Sequence, residues 1–267
     1  MKLDFNNPFL IVVFTVTIFL AILKLPLEFL LDNFDLTKQQ FNNIDRIVKN
    51  VVLTFLAIMV IKKLRITKLS GLSTEISFKN KYLIIIPMYL VIFGGLSLIG
   101  LDLSNVTVID SILLCLAMLS VGFVEEFIFR GILQPVFLKN YIHHEYGIYI
   151  GILTPAFLFG ALHLVNLDSS NIAASVSQVV YAFFIGTAFG AILLKTNKLV
   201  PLAILHGLID IMFSINTLNE ADAIAGQLEK QSIGDAIGSM LFVLPLFIVS
   251  IFIIRKISKE SIITKMT

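Results

Sequence analysis

The chain has 267 residues, of which 57% are hydrophobic and 14% charged, with a formal net charge of +2. A soluble domain carries roughly a quarter charged residues, so this chain cannot coat a water-facing surface and its solvent is largely lipid. The small, scattered positive balance gives no footprint for a nucleic-acid partner. The single cysteine, Cys115, excludes an intrachain disulfide and a Cys-rich metal site, and reads as a packed thiol.

A helix needs about 20 largely apolar residues to cross a bilayer. Eight segments are expected to do so, roughly 9–31, 47–61, 82–100, 109–137, 147–166, 175–194, 199–216 and 236–254. The first follows Met1-Lys2 and lacks a small-x-small cleavage site after it, so it reads as a retained helix rather than a signal peptide. The second is short and needs Val48 through Leu64 to cross. In the sixth, Gly186 and Gly190 have the spacing that lets helices approach closely, as do Gly147 and Gly151 at the fifth. The segment from Asn219 to Lys230 alternates as a short amphipathic helix or a solvated loop. No linker or long repeat interrupts the chain. The expectation is one all-α, polytopic transmembrane domain over 1–267, in the plasma membrane.

Orientation follows from the loops. With the N-terminus in the cytoplasm, the inside segments hold 14 basic residues, among them Lys62, Arg65, Lys79, Lys195, Arg255 and Lys265. The outside segments hold Lys38, Arg46, Lys49 and Lys230 and most of the acidic residues. Basic residues stay on the cytoplasmic side during insertion, so the topology reads N-in, C-in.

Charge inside hydrocarbon persists only with a partner or a task. The fourth segment contains Glu125, Glu126 and Arg130 in an apolar run. Glu126 and Arg130 are four apart and can pair on one face. Glu125 is turned about 100° away and is the freer carboxylate. A purely structural ion pair is the competing reading. The fifth segment contributes His163, and the seventh His206 and Asp210, which share a face. If the fifth helix proper begins at the Thr154-Pro155 cap, His163 lies nearer the other groups. One Glu, two His and one Asp are the side chains that bind a divalent metal or move protons. The chemistry-bearing residues all fall within 121–210.

Glu125-Glu126-Phe127-Ile128-Phe129-Arg130, Phe159 to His163 and His206 to Asp210 form, in order, the pattern Glu-Glu-x-x-x-Arg, Phe-x-x-x-His, His-x-x-x-Asp. This resembles the CPBP family, the CAAX proteases and bacteriocin-processing enzymes also called the ABI family. The resemblance covers the fourth to seventh segments. It implies a CAAX-protease-like helical bundle that hydrolyses a peptide bond of a membrane-associated protein or peptide precursor. It also implies that Glu125, Glu126, His163, His206 and Asp210 are catalytic, supported by Arg130 and Phe159. Glu125 with a histidine would activate water, and Glu126 would mainly serve stability through Arg130. A divalent metal, zinc by preference, would be held by Glu125, His163, His206 and Asp210, and Asp rather than Asn at 210 favours it. A metal-free glutamate mechanism is the other form. Two readings stand beside the protease: a non-catalytic membrane scaffold, such as a bacteriocin self-immunity factor or sensor-kinase regulator, and a proton relay through Glu125, Glu126 and Asp210.

Overall fold

A computed structural model describes residues 7–28, 34–219 and 231–266, and the described residues form an all-helical bundle. In chain order these are α1 (Pro8–Leu23), α2 (Lys38–Lys63), α3 (Met88–Gly94), α4 (Val108–Glu126), α5 (Gln134–Tyr141), α6 (Gly147–Leu162), α7 (Ile172–Thr196), α8 (Val200–Ser214), α9 (Ile233–Arg255) and α10 (Lys259–Ile263). Among the described residues, six helical stretches are long and apolar enough to cross a membrane: Lys81–Leu98, Val108–Tyr141, Gly147–Val165, Ile172–Thr196, Val200–Leu218 and Ile233–Arg255. The chain is a multi-pass membrane protein. Pro8–Leu23 is apolar but shorter, at 16 residues.

Several boundaries differ from the sequence expectation. α2 starts at Lys38, well before residue 47, because Thr37 and Gln40 form a capping box there. Its charged first half is served inside the helix, where Lys49 bridges to Asp45 at 2.8 Å and donates to Leu23 O at 3.1 Å. The third span is broken, with 3₁₀ turns at Lys81–Ile85 and Gly95–Leu98 flanking α3 after Pro87. α6 begins at Gly147 and runs through Pro155, so the start proposed at Thr154-Pro155 is overturned. The physical reason is packing. A Cβ on Gly147 would stand 2.0 Å from Tyr141 O, and one on Gly151 2.3 Å from Leu138, so both glycines seat the first turns of α6 against α5. The amphipathic segment expected near Asn219 to Lys230 falls, from residue 220 on, outside the described residues.

The fourth span is one continuous helical stretch of 34 residues, Val108–Tyr141. Between α4 and α5, Phe127–Leu133 forms a π-helix directly after the paired glutamates. π-turns are rare and concentrate at functional sites. The extra length of this span also explains how His163 reaches the site. Sixteen positions separate Glu125 from Tyr141, and sixteen separate Gly147 from His163. The α5–α6 hairpin therefore climbs about as far as it descends, roughly 24 Å at the rise of a helix.

The bundle has two unlike ends. At one, Gln39 donates to Thr217 O, Gln40 to Asp110 and Asn219 to Asp102 O. There α2, α4, α7 and α9 begin on the side-chain caps Thr37, Thr107, Asn171 and Ser232. At the other, Lys195 donates to Lys256 O, Lys198 to Ser73 O and Lys259 to His144 O. Lys265 there reaches Leu194 O and Asn197.

Candidate active site

The site is set by the meeting of α4 and α8. A Cβ built on Gly122 would stand 2.4 Å from Gly207 N, and one on Gly207 2.7 Å from Leu119 Cα. Backbone touches backbone here, and only glycine permits it. Glu125 lies three residues after Gly122, and His206 is the neighbour of Gly207, so this contact brings them face to face. Neither glycine was singled out from the sequence, although Gly207 stands inside the His206–Asp210 motif and Gly122 three residues before Glu125.

Glu126 is fully buried and holds two partners with one oxygen. Its Oε1 accepts from Arg130 Nη1 at 2.8 Å and from His206 Nδ1 at 2.8 Å. With a carboxylate as acceptor, the His206 proton sits on Nδ1, which turns Nε2 toward the other acids. Nε2 is 3.5 Å from Glu125 Oε2 and 3.9 Å from Asp210 Oδ1. These gaps are too long for strong direct hydrogen bonds and too short to hold a molecule between the groups, but one water beside them in the cavity can reach both. Glu126 therefore does more than pair with Arg130, as the sequence had suggested; it also fixes the ring of His206.

Beneath these groups the packing is aromatic. Phe159 stands edge-on to His163 at 5.1 Å and to His206 at 5.9 Å, while the Arg130 guanidinium lies 4.6 Å over its ring. Phe189 also stands edge-on to His206, at 5.7 Å. Desolvated guanidinium–ring contacts of this kind are worth about 2 kcal/mol. The π-turn presents Arg130 to Gly186, where an added Cβ would come within 2.9 Å of Nη2. One turn on, Gln134 donates to Gly190 O at 3.0 Å. The Gly186/Gly190 face thus receives polar side chains of the fourth span as well as Ala156 and Ile152 of α6.

His163 caps the C-terminus of α6, and its Nδ1 meets Phe159 O at 3.0 Å. A carbonyl can only accept, so Nδ1 donates and Nε2 remains for other use. Glu125, His163, His206 and Asp210 all line one cavity of about 990 Å³. That size suits a ligand larger than water alone. Arg46, Gln178 and Tyr181 line the same cavity. The sequence did not signal them, since nothing in the order of residues says which faces of α2 and α7 turn toward α8.

Both histidines keep Nε2 available while Nδ1 is oriented from behind, as metal-ligating histidines are. A zinc ion further requires three or four ligand atoms within about 2.0–2.2 Å of one point. Among the described residues no group of three or more His, Cys, Asp and Glu is arranged to hold a metal ion. As placed, the four residues do not form a ligand set, and no step below runs through a metal.

Residues 107–212 match the family model described as type II CAAX prenyl endopeptidase Rce1-like. The stretch is Rce1-like. It opens at the Thr107 cap of α4 and closes within α8, so it holds all three motifs, while α1–α3, α9 and α10 lie outside it. The resemblance to the CAAX proteases read from those motifs is borne out over this stretch. The match suggests CAAX intramembrane endopeptidase activity and supports a protease acting on a peptide substrate. No curated protein and no solved structure matches the chain.

Proposed function

We propose that the protein is an endopeptidase of the plasma membrane that cleaves a membrane-associated polypeptide with Glu125 as general base. The reading is supported chiefly by one observation: Glu125 and His206 face each other across 3.5 Å in one cavity among the helices, and His206 is held from behind by Glu126. A water in the cavity beside Glu125 Oε2 and His206 Nε2 gives its proton to Glu125 as its oxygen attacks the scissile carbonyl carbon. The carbonyl oxygen becomes an oxyanion, which the neutral hydrogen-bond donors lining the cavity, Gln178 and Tyr181 among them, stabilise. Collapse of the intermediate breaks the C–N bond, and Glu125 returns the proton to the leaving amine. Asp210 helps keep His206 aligned through its place four residues along the same face.

Glu125→Gln tests this directly. It keeps the shape of the side chain and removes the base, so turnover is expected to fall by roughly 10²–10⁴-fold while the protein still accumulates in the membrane. Normal function in Glu125→Gln would transfer the case to a non-catalytic scaffold.

A further inference from the structure

The cavity is one-sided. Its lining runs from Glu125 and His206 to a second end, which we take as its mouth, that is lined by Asn171, Ser175, Gln178 and Gln231, with Asp168 beside them. These come from the first turns of α7 and the approach to α9, where Ser177 donates to Gln231 and Gln231 donates to Ser239. That is the end of the bundle where α2, α4, α7 and α9 begin. Among the described residues, Arg46, also from the first part of α2, is the only lysine or arginine lining the cavity, and none of those gathered at the other end reaches it. Below Glu126, toward the basic end, the interior is solid. Phe129, Arg130, Leu133, Phe189 and Ile192 are each no more than 1% exposed, so no path leads to Glu125 from there.

Basic residues mark the cytoplasmic side of a polytopic protein. Lys62, Lys63, Arg65, Lys68, Lys79 and Lys81 flank the end of α2, and Arg255, Lys256, Lys259 and Lys265 follow α9. Together with Lys195 and Lys198 after α7, they fix that end as the inner one. The mouth of the cavity is therefore at the outer one.

We propose that the cavity takes its substrate from the non-cytoplasmic face, as an extended stretch of an exported or outward-anchored polypeptide. This rests on the endopeptidase reading above and names the substrate's side and form. The neutral amides and hydroxyls of Asn171, Ser175, Gln178 and Gln231 suit the main-chain N–H and C=O groups of an extended segment, which lose their water on entering the bilayer and need partners there. A polypeptide tail confined to the cytoplasm has no route to Glu125.

Cysteine accessibility tests the orientation without needing turnover. In a Cys115→Ala background, Ser170→Cys places a thiol on the exposed mouth and Lys81→Cys one on the exposed basic end. A membrane-impermeant maleimide is expected to label Ser170→Cys in intact cells and Lys81→Cys only after permeabilisation. Labelling of Ser170→Cys only after permeabilisation, or equal labelling of both in intact cells, overturns the proposal. Modification of Ser239→Cys at the mouth from outside intact cells is further expected to block turnover, and unchanged turnover after complete modification also overturns it. Persistent activity in Glu125→Gln sinks the hydrolase reading alone, whereas reversed labelling sinks the orientation alone.

Discussion

Glu126 and His206 share a 2.8 Å hydrogen bond through Nδ1, so the second carboxylate of the fourth span sets which nitrogen of the histidine faces the first. The same oxygen also anchors Arg130. One side chain thus holds both a structural and an orienting role, and the two roles can be separated.

Glu126→Gln leaves the Arg130 charge buried without its partner, a loss of about 3–5 kcal/mol in stability. Adding Arg130→Met removes the stranded charge and is expected to recover much of that stability. Turnover is expected to stay roughly 10²-fold down in both variants, because His206 has exchanged a charged acceptor for a neutral one. Thermal unfolding in detergent, with kcat measured on the folded fraction, checks this. Recovery of kcat in the double variant would reduce Glu126 to an ion-pair partner.

Gly122→Ala and Gly207→Ala each place a methyl group against backbone of the facing helix. Overpacking of this kind costs typically 1–3 kcal/mol. Here it also widens the gap between Glu125 and His206, so kcat should fall further than the stability loss explains. Gly238→Ala, where a Cβ would meet nothing within 4 Å, is the control and should keep stability or raise it by up to about 1 kcal/mol.

Chelation separates the two forms of the mechanism. With Glu125 acting as base directly, turnover after exhaustive dialysis against a chelator should equal that before it, and elemental analysis of active protein should show no stoichiometric zinc. Loss of activity restored by added zinc would replace the direct glutamate mechanism with a zinc-dependent one.

Lys265, beyond the last span, titrates low. Partial burial, then the nearby Lys79 and Lys195 ammonium groups, bring its pKa down to about 8 from 10.5. The folded state therefore binds fewer protons than the unfolded between these values, and stability rises with pH through that window. Melting temperature in detergent is expected to increase from pH 8 to pH 10, and Lys265→Gln should flatten the increase. An equal increase in Lys265→Gln would assign it to other groups.

The charged and imidazole side chains of the site were legible in the sequence because apolar spans give them no cover. Their order across three segments placed Glu125, His206 and Asp210 on helices that do meet. Other features were hidden for identifiable reasons. Thr154-Pro155 has the local chemistry of a helix start, yet the seating of Gly147 and Gly151 on α5 outweighs it. The second partner of Glu126 needed the docking of α8 on α4, which depends on Gly122 and Gly207 rather than on any charge. The π-turn at Phe127–Leu133 has no residue signature at all, since the same side chains form an ordinary helix when nothing pulls on them.

That turn has a consequence for how the span tolerates change. A widened coil resets the angular phase of everything after it, so the halves before and after Phe127–Leu133 face their neighbours on different schedules. Deleting a single residue within 127–133 would let the coil tighten to the ordinary pitch. The halves on either side would keep their facing, whereas a deletion just past residue 133 would swing the rest of the span away from Gly190, so the wide coil is where this span can absorb a lost residue.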